Sequence, residues 1–205
     1  MFYCGKNWAC SFANCIGAMV FNVCLEDWSM QCSLFEAGFD SGPEPELVVS
    51  RAFRSTFETP LGWMQAVSDG DRLMTLVFGG EGLGEQVEDE VGSRVKIEIL
   101  EYFDGVRTEF SVPLGLVGTP FQVRVWRGLI EIGYGSTVCY SELALKLGVK
   151  NGQRAVGMAN RVNPIAVIVP CHRVIQADGQ LCGYAGGLWR KQQLLGLESG
   201  QRGLF

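Results

Sequence analysis

The run Ile-Ala-Val-Ile-Val-Pro-Cys-His-Arg-Val at positions 165–174 carries five apolar residues into a proline and then sets a thiol beside an imidazole. Five consecutive apolar residues predict a buried strand or extended segment. Pro170 has no backbone N–H, so ladder pairing is expected to stop where Cys171 begins. His172 is the single histidine among 205 residues. A thiol of ordinary pKa, about 8.5, becomes a nucleophile at neutral pH only beside a base or a positive charge, and His172 and Arg173 offer both. Adjacent side chains of an extended chain point to opposite sides, which predicts that His172 acts on Cys171 through a bridging water rather than directly. The same residues also read as an inert buried cysteine next to a structural histidine.

The surrounding chain favours chemistry. Its net charge of −5 argues against a generic nucleic-acid binder. The charge is divided unevenly, however: residues 119–205 carry ten Lys and Arg against four Asp and Glu, whereas residues 1–118 carry seven against eighteen. The half with the thiol is therefore the half suited to phosphates. Eight cysteines suggest a disulfide framework at first sight, but a reactive thiol points to a reducing compartment. The uncharged span 9–25 resembles a signal-peptide core but contains Asn14 and Asn22 and is preceded only by Lys6, and at 17 residues it is marginal for crossing a bilayer, so a cytoplasmic location is expected. Cys4, Cys10, Cys15, Cys24 and Cys32 lack paired CxxC spacing and a local histidine, so no metal is expected there. Apolar filler, or a stretch upstream of an internal start at Met30, accounts for this segment.

Further motifs flank the Cys-His pair. They are Asn163-Pro164, the Gly-Tyr-Ala-Gly-Gly run at 183–187, the Gly-Thr-Pro-Phe-Gln run at 118–122, Val125-Trp126, Tyr134-Gly135, Tyr140, the Arg-Ala-Val-Gly run at 154–157, and Glu198. In order and spacing the chain resembles the O6-alkylguanine-DNA alkyltransferases, also called methylated-DNA-protein cysteine methyltransferases, over roughly residues 51–200. Three positions depart from the family pattern. Gly133 stands where Pro is usual, loosening that turn; Cys139 stands where Ser is common; Ala185 replaces a Ser beside the pocket and removes one donor. The nucleophile itself is kept, unlike in relatives that bind alkylated DNA without repairing it.

Residue patterns divide the chain further. Residues 52–58, 62–68 and 72–78 have strand-like content separated by turn signals and predict an antiparallel meander. Val87, Val91, Val95, Ile99 and Phe103, at four-residue steps, predict an amphipathic helix from about Gln86 to Phe103. Residues 108–112 read as a short returning strand, and the acidic cluster at 85–90 as a solvated face. Thr119 caps a helix with Pro120 at its first position, with Phe121, Val125, Leu129 and Ile132 facing the core. Ser141 is expected to cap a helix over 142–147, and Gly148 to Gly152 turns into another over 153–160, a helix-turn-helix candidate. The resemblance implies an α+β fold. A small N-terminal α/β domain, ribonuclease-H-like with an antiparallel sheet, would span 49–116, and a mostly helical DNA-binding and active-site domain 117–205. Residues 1–48, ending in the Pro- and Gly-containing linker at 41–45, are a cysteine-rich extension without assignment.

In the helix over 153–160, one Arg stands among small residues, which suits a narrow groove and little sequence preference, or else merely tight helix packing. The resemblance makes it a minor-groove helix presenting Ala155, Gly157 and Ala159, with Arg154 filling the hole left by a flipped nucleotide. Tyr140 would crowd the phosphate and donate to the leaving guanine. Cys171 would take the alkyl group as an irreversible thioether, His172 and Glu198 would relay the thiol proton, and Asn163 would brace the segment. Val174, Tyr184, Ala185, Gly186 and Lys191 would line the pocket. No cofactor is implied; the partner is double-stranded DNA carrying alkylated guanine, acted on by a monomer. Taken singly, Tyr140 also reads as a core aromatic, Glu198 as a surface acid and Asn163 as a turn former. Two other readings stay open: a damage sensor in which Cys171 is modified as a signal, and a cysteine hydrolase, although hydrolases set their base far from the nucleophile in sequence.

Overall fold

The computed structural model describes residues 52–81 and 87–200, which belong to one compact unit, Leu47–Phe205. The cysteine-rich segment 1–48, its linker at 41–45, and Glu85 and Gln86 lie outside the described residues. Three strands, β1 (Phe53–Thr59), β2 (Gly62–Ser68) and β3 (Leu73–Phe78), form the expected antiparallel meander in the order β1-β2-β3. Alternation along the strands sends Phe57, Met64, Ala66 and Leu76 to one buried face, and the register shift opposite Val67 and Ser68 brings Leu73 to it as well. Helix α1 (Glu90–Phe103) packs on that sheet through Val91, Val95, Ile99, Tyr102 and Phe103.

Two expectations fail in this half for identifiable reasons. Helix α1 begins at Glu90, later than the apolar spacing predicts, because the Asp89 side chain accepts the Gly92 N–H at 2.7 Å and so sets the cap. Val87 instead pairs with β1, its carbonyl accepting from Arg54 N–H at 2.9 Å. Residues 108–112 form no strand. The Glu98 carboxylate takes the Ser111 backbone N–H at 2.8 Å and also its hydroxyl, tethering the segment to α1. The contact with β3 is made two residues later, where Leu73 exchanges backbone hydrogen bonds with Pro113 and Gly115, each at 2.8 Å.

The helical half follows its sequence signals more closely. Thr119 and Gln122 form a reciprocal capping box at the start of α2 (Pro120–Ile130). Helix α3 (Tyr140–Lys146) starts before the expected Ser141 cap: Cys139 is the capping residue, and the Glu142 carboxylate accepts its backbone N–H at 2.8 Å. Tyr140 is thereby the first residue of a helix, in a fixed orientation. Helix α4 (Gln153–Arg161) packs against α2 and α3, with Trp126 Nε1 donating to the Ala159 carbonyl at 2.9 Å. Strands β4 (Val138–Cys139) and β5 (Val174–Ile175) make one short parallel pair, and α5 (Leu188–Glu198) closes the described chain. The described residues thus form a mixed α/β fold with a three-stranded antiparallel sheet and five α-helices. No described helix is long and apolar enough to cross a membrane.

The apolar run at 165–169 is buried as expected but is not a strand. Only Ile165 pairs, in a single parallel bridge to Leu76, with Leu76 N–H donating to Pro164 at 2.9 Å and Ala166 N–H to Leu76 at 2.7 Å. The chain then turns tightly. Because the Asp89 side chain satisfies a first-turn N–H of α1, Asp89→Ala is expected to cost about 1 kcal/mol of stability. Urea unfolding of the variant, with unchanged slope, checks that value.

Candidate active site

Cys171 is positioned by three backbone devices in sequence. Val167 adopts φ +68° and lies under a 2.8 Å hydrogen bond from Ile168 N–H to the Ala166 carbonyl, which together describe a γ-turn. A β-branched residue at positive φ is a genuine outlier, held at a cost of order 1–3 kcal/mol by its surroundings. Pro170, at φ −82° and ψ 64°, makes the inverse γ-turn, closed by Cys171 N–H donating to Val169 at 2.8 Å. Cys171–Arg173 then forms a single 3-10 turn rather than an extended exit. Asn163 braces these turns: its Nδ2 donates to the Val169 carbonyl at 2.8 Å and to that of Ile165 at 3.3 Å, and its Oδ1 accepts from Ile165 N–H. Asn160 Nδ2 holds the Cys171 carbonyl at 3.3 Å, a contact that sequence reasoning missed.

The tightest polar cluster centres on Glu198, a buried acid and not a surface one. Its Oε1 lies 2.9 Å from His172 Nε2, 2.8 Å from the Tyr102 hydroxyl and 2.9 Å from Arg173 Nη2, while its Oε2 accepts from Arg173 Nε at 2.9 Å and Gly135 N–H at 3.2 Å. Gly135 is required at that approach: at φ +71°, a Cβ on it would sit 3.0 Å from the Glu198 carbonyl oxygen. Burial alone would raise the Glu198 carboxyl, but the hydrogen bonds from His172 and Arg173 outweigh it and hold its pKa at about 2. An ionised carboxylate only accepts, so His172 Nε2 carries the hydrogen and Nδ1 is left as the basic nitrogen. That Nδ1 is buried with no hydrogen-bond partner among the described residues. Burial lowers the His172 pKa despite Glu198, so the imidazole rests neutral. The cluster contains two residues with no visible signal in the sequence. Tyr102 comes from α1, and Arg173, expected to supply positive charge to the thiol, is instead bound to Glu198.

The charge that reaches the thiol belongs to Lys191. Burial raises the Cys171 thiol, while a hydrogen bond from Asn163 and the Lys191 ammonium oppose the rise. Lys191 is itself fully buried, donating through Nζ to the carbonyls of Val174 at 2.6 Å and Cys182 at 3.0 Å. Lys191 and Val174 are thus tied to each other and are not among the residues that line the cavity at Cys171. The cavity at Cys171 is about 90 Å³ and is walled by Tyr184, Ala185 and Gly186, as the sequence predicts, and also by Asn163, Val77 and Phe78. Tyr140 lies nearby: burial and a hydrogen bond with Cys182 push its hydroxyl up to about 12, which keeps it a proton donor at neutral pH.

On α4, Arg154 and Ala155 are exposed and Gly157 is half-buried beneath the Tyr140 ring. Ala159 is buried at 3 % exposure, so it belongs to the packing face rather than to an outer surface with Ala155. The outward residues near Arg154 are Ala155, Met158 and Arg161, whereas Ala159, one turn beyond Ala155, is covered where Trp126 donates to its carbonyl.

Over residues 120–200 the chain matches the family described as 6-O-methylguanine DNA methyltransferase, DNA binding domain. It is 58% identical over 151 residues to a methylated-DNA–protein-cysteine methyltransferase of Mycobacterium leprae, an alignment covering 71% of this chain and 92% of that one. A protein of the same name from Methanosarcina acetivorans is 44% identical, with 71% and 97% covered. The fold superposes on a crystal structure of Mycobacterium tuberculosis OGT in complex with DNA at a TM-score of 0.67 and 42% identity, covering 72% of this chain and 93% of that one. With its fold and its buried Cys-His-Glu constellation, the chain belongs to the methylated-DNA–protein-cysteine methyltransferase family.

Glu198→Gln removes the counter-charge of Arg173 and is expected to cost about 3–5 kcal/mol. Tyr102→Phe should cost less, about 1.5–3 kcal/mol for one bond to a charged acceptor. The Glu198 pKa is depressed on folding, so its stabilisation is complete above the unfolded value of about 4.3 and is lost as pH falls towards about 2. Thermal unfolding across that window should fall more steeply for the native chain than for Glu198→Gln.

Proposed function

We propose that the protein repairs DNA by moving the alkyl group of O6-alkylguanine, and also of O4-alkylthymine, irreversibly onto Cys171, each molecule acting once. The observation that carries this reading is the 2.9 Å contact between Glu198 and His172, one residue from Cys171, which leaves Nδ1 as the free base. In this mechanism the thiol proton passes through a water to Nδ1, and Glu198 stabilises the imidazolium that forms. The thiolate attacks the alkyl carbon in line with the leaving oxygen, so the sulfur–carbon bond forms as the carbon–oxygen bond breaks and guanine leaves. Tyr140 donates to the base as negative charge develops on it. Lys191 and Asn163 favour the thiolate, while Tyr184, Ala185 and Gly186 hold the base.

In-line attack is denied inside a base stack, so the damaged nucleotide must be turned out of the duplex at a cost of a few kcal/mol, least for a badly paired base. Arg154, exposed near the start of α4, would fill the space it leaves. Helices α3 and α4, packed together and joined by residues 147–152, support a helix-turn-helix reading in which Ala155 and Gly157 approach the minor groove. The M. tuberculosis relative crystallised with DNA supports double-stranded DNA as the partner. Residues 49–116 would then be a ribonuclease-H-like supporting domain and 117–205 the DNA-binding and active-site domain of a cytoplasmic monomer that needs no cofactor.

Intact-mass measurement after mixing with a duplex containing O6-methylguanine should show one methyl group on Cys171 and an equal loss of lesion. Repeated turnover, or a methyl group on another residue, overturns the reading. Cys171→Ala should bind the duplex without transfer. Arg154→Ala should slow repair of duplex at least tenfold while leaving reaction with the free alkylated base unchanged.

A further inference from the structure

The cavity at Cys171 is not walled by the helical half alone. Phe78, the last residue of β3, faces it together with Val77, across from Tyr184 and Gly186. The ring of Phe78 and the backbone at Gly186 are in direct contact: a Cβ on Gly186 would lie 2.9 Å from Phe78 Cδ2. One side chain holds both. The Arg190 guanidinium stacks 4.8 Å from the Phe78 ring centre and 4.5 Å from that of Trp189. It also donates to the Gly186 carbonyl at 2.7 Å and to the Leu61 carbonyl, in the β1–β2 turn, at 2.8 Å. The backbone just after Phe78 is fixed as well, with Gly79 N–H donating to the Trp63 carbonyl at 2.7 Å.

Size makes this wall matter. The cavity of about 90 Å³ is smaller than the roughly 150 Å³ of an apolar cavity that takes up benzene. The side chains that line it therefore lie against any base and alkyl group that enters. Asn163 and Asn160 pin the thiol side through backbone carbonyls. The opposite side rests on an aromatic ring with two side-chain torsions.

We propose that Phe78, clamped by Arg190, determines which alkyl groups Cys171 accepts, so that the N-terminal sheet sets the specificity of a nucleophile carried by the other half. This rests on the alkyl-transfer reading above. Phe78 is a specificity-determining wall and takes no part in proton transfer or in the attack itself.

The test compares rate constants for alkylation of Cys171 by free O6-methylguanine and free O6-benzylguanine, followed by intact mass. For Phe78→Ala the benzyl-to-methyl ratio of rate constants is expected to rise at least tenfold over that of the native chain, a change of the size a hydrophobic pocket gives for a few carbon atoms. Phe78→Leu, which preserves most of the apolar packing, should raise it by a smaller factor. Should Phe78→Ala fail to fold, Phe78→Leu alone decides. A ratio within twofold of the native value in either folded variant overturns the proposal. If the native chain gains no methyl group on Cys171, the alkyl-transfer reading itself has failed; if it does and the ratios stay fixed, only the role of Phe78 has.

Discussion

A carboxylate removed from water is costly unless its oxygens are filled by donors. The structure around Cys171 is arranged to fill those of Glu198. Tyr102 from α1, Gly135 from the loop before β4, and His172 and Arg173 from the 3-10 turn all donate to a single side chain of α5. The arrangement fixes more than position. Because an ionised acid only accepts, it dictates which imidazole nitrogen carries the hydrogen and which is left basic. The Arg173 guanidinium opposes the rise that burial would give Glu198 and so supports that dictation. Arg173 thus has an electrostatic purpose different from the one its place beside the thiol suggests.

The thiol lies under opposing influences. Burial favours the protonated form, whereas the Lys191 ammonium and the Asn163 amide favour the thiolate. A resting thiol that is not strongly ionised escapes adventitious oxidation, which follows thiolate character and exposure. The backbone bends that deliver it, including the positive φ of Val167, are tolerated because Ile165, Val167 and Val169 are anchored in the core.

Much of this was legible in the residues. The three strands, the Thr119 cap and the buried face of α1 followed from periodicity and capping chemistry, whereas the roles of Asn163 and Glu198 beside the Cys-His pair were visible only through the resemblance to the alkyltransferases. What escaped notice has common physical causes. The apolar run at 165–169 reads equally as a strand or as a buried bend, because burial depends on hydrophobicity while backbone direction here depends on the Asn163 hydrogen bonds. Helix α1 starts where Asp89 caps it and not where the valine spacing begins. Tyr102, Phe78 and Arg190 carry no local signature, since their roles arise only when distant segments meet. Ala159 shares a helix face with Ala155 by spacing, yet it is buried because Trp126 of α2 packs over the last turn of α4, a contact the linear sequence does not show. Lys191 and Val174 are buried but do not line the cavity at Cys171, a distinction that a linear sequence does not encode.

The hydrogen bond between Tyr102 and Glu198 spans 96 positions, and this orders events during synthesis. A ribosome releases the sheet and α1 long before the acid that Tyr102 awaits, and N-terminal elements generally fold first at about 5–20 residues per second. For several seconds the nascent chain therefore presents a tyrosine without its acceptor and an Arg173 without its counter-ion. The sulfur nucleophile emerges into that interval before its proton relay exists, so a growing polypeptide is chemically idle until α5 has docked.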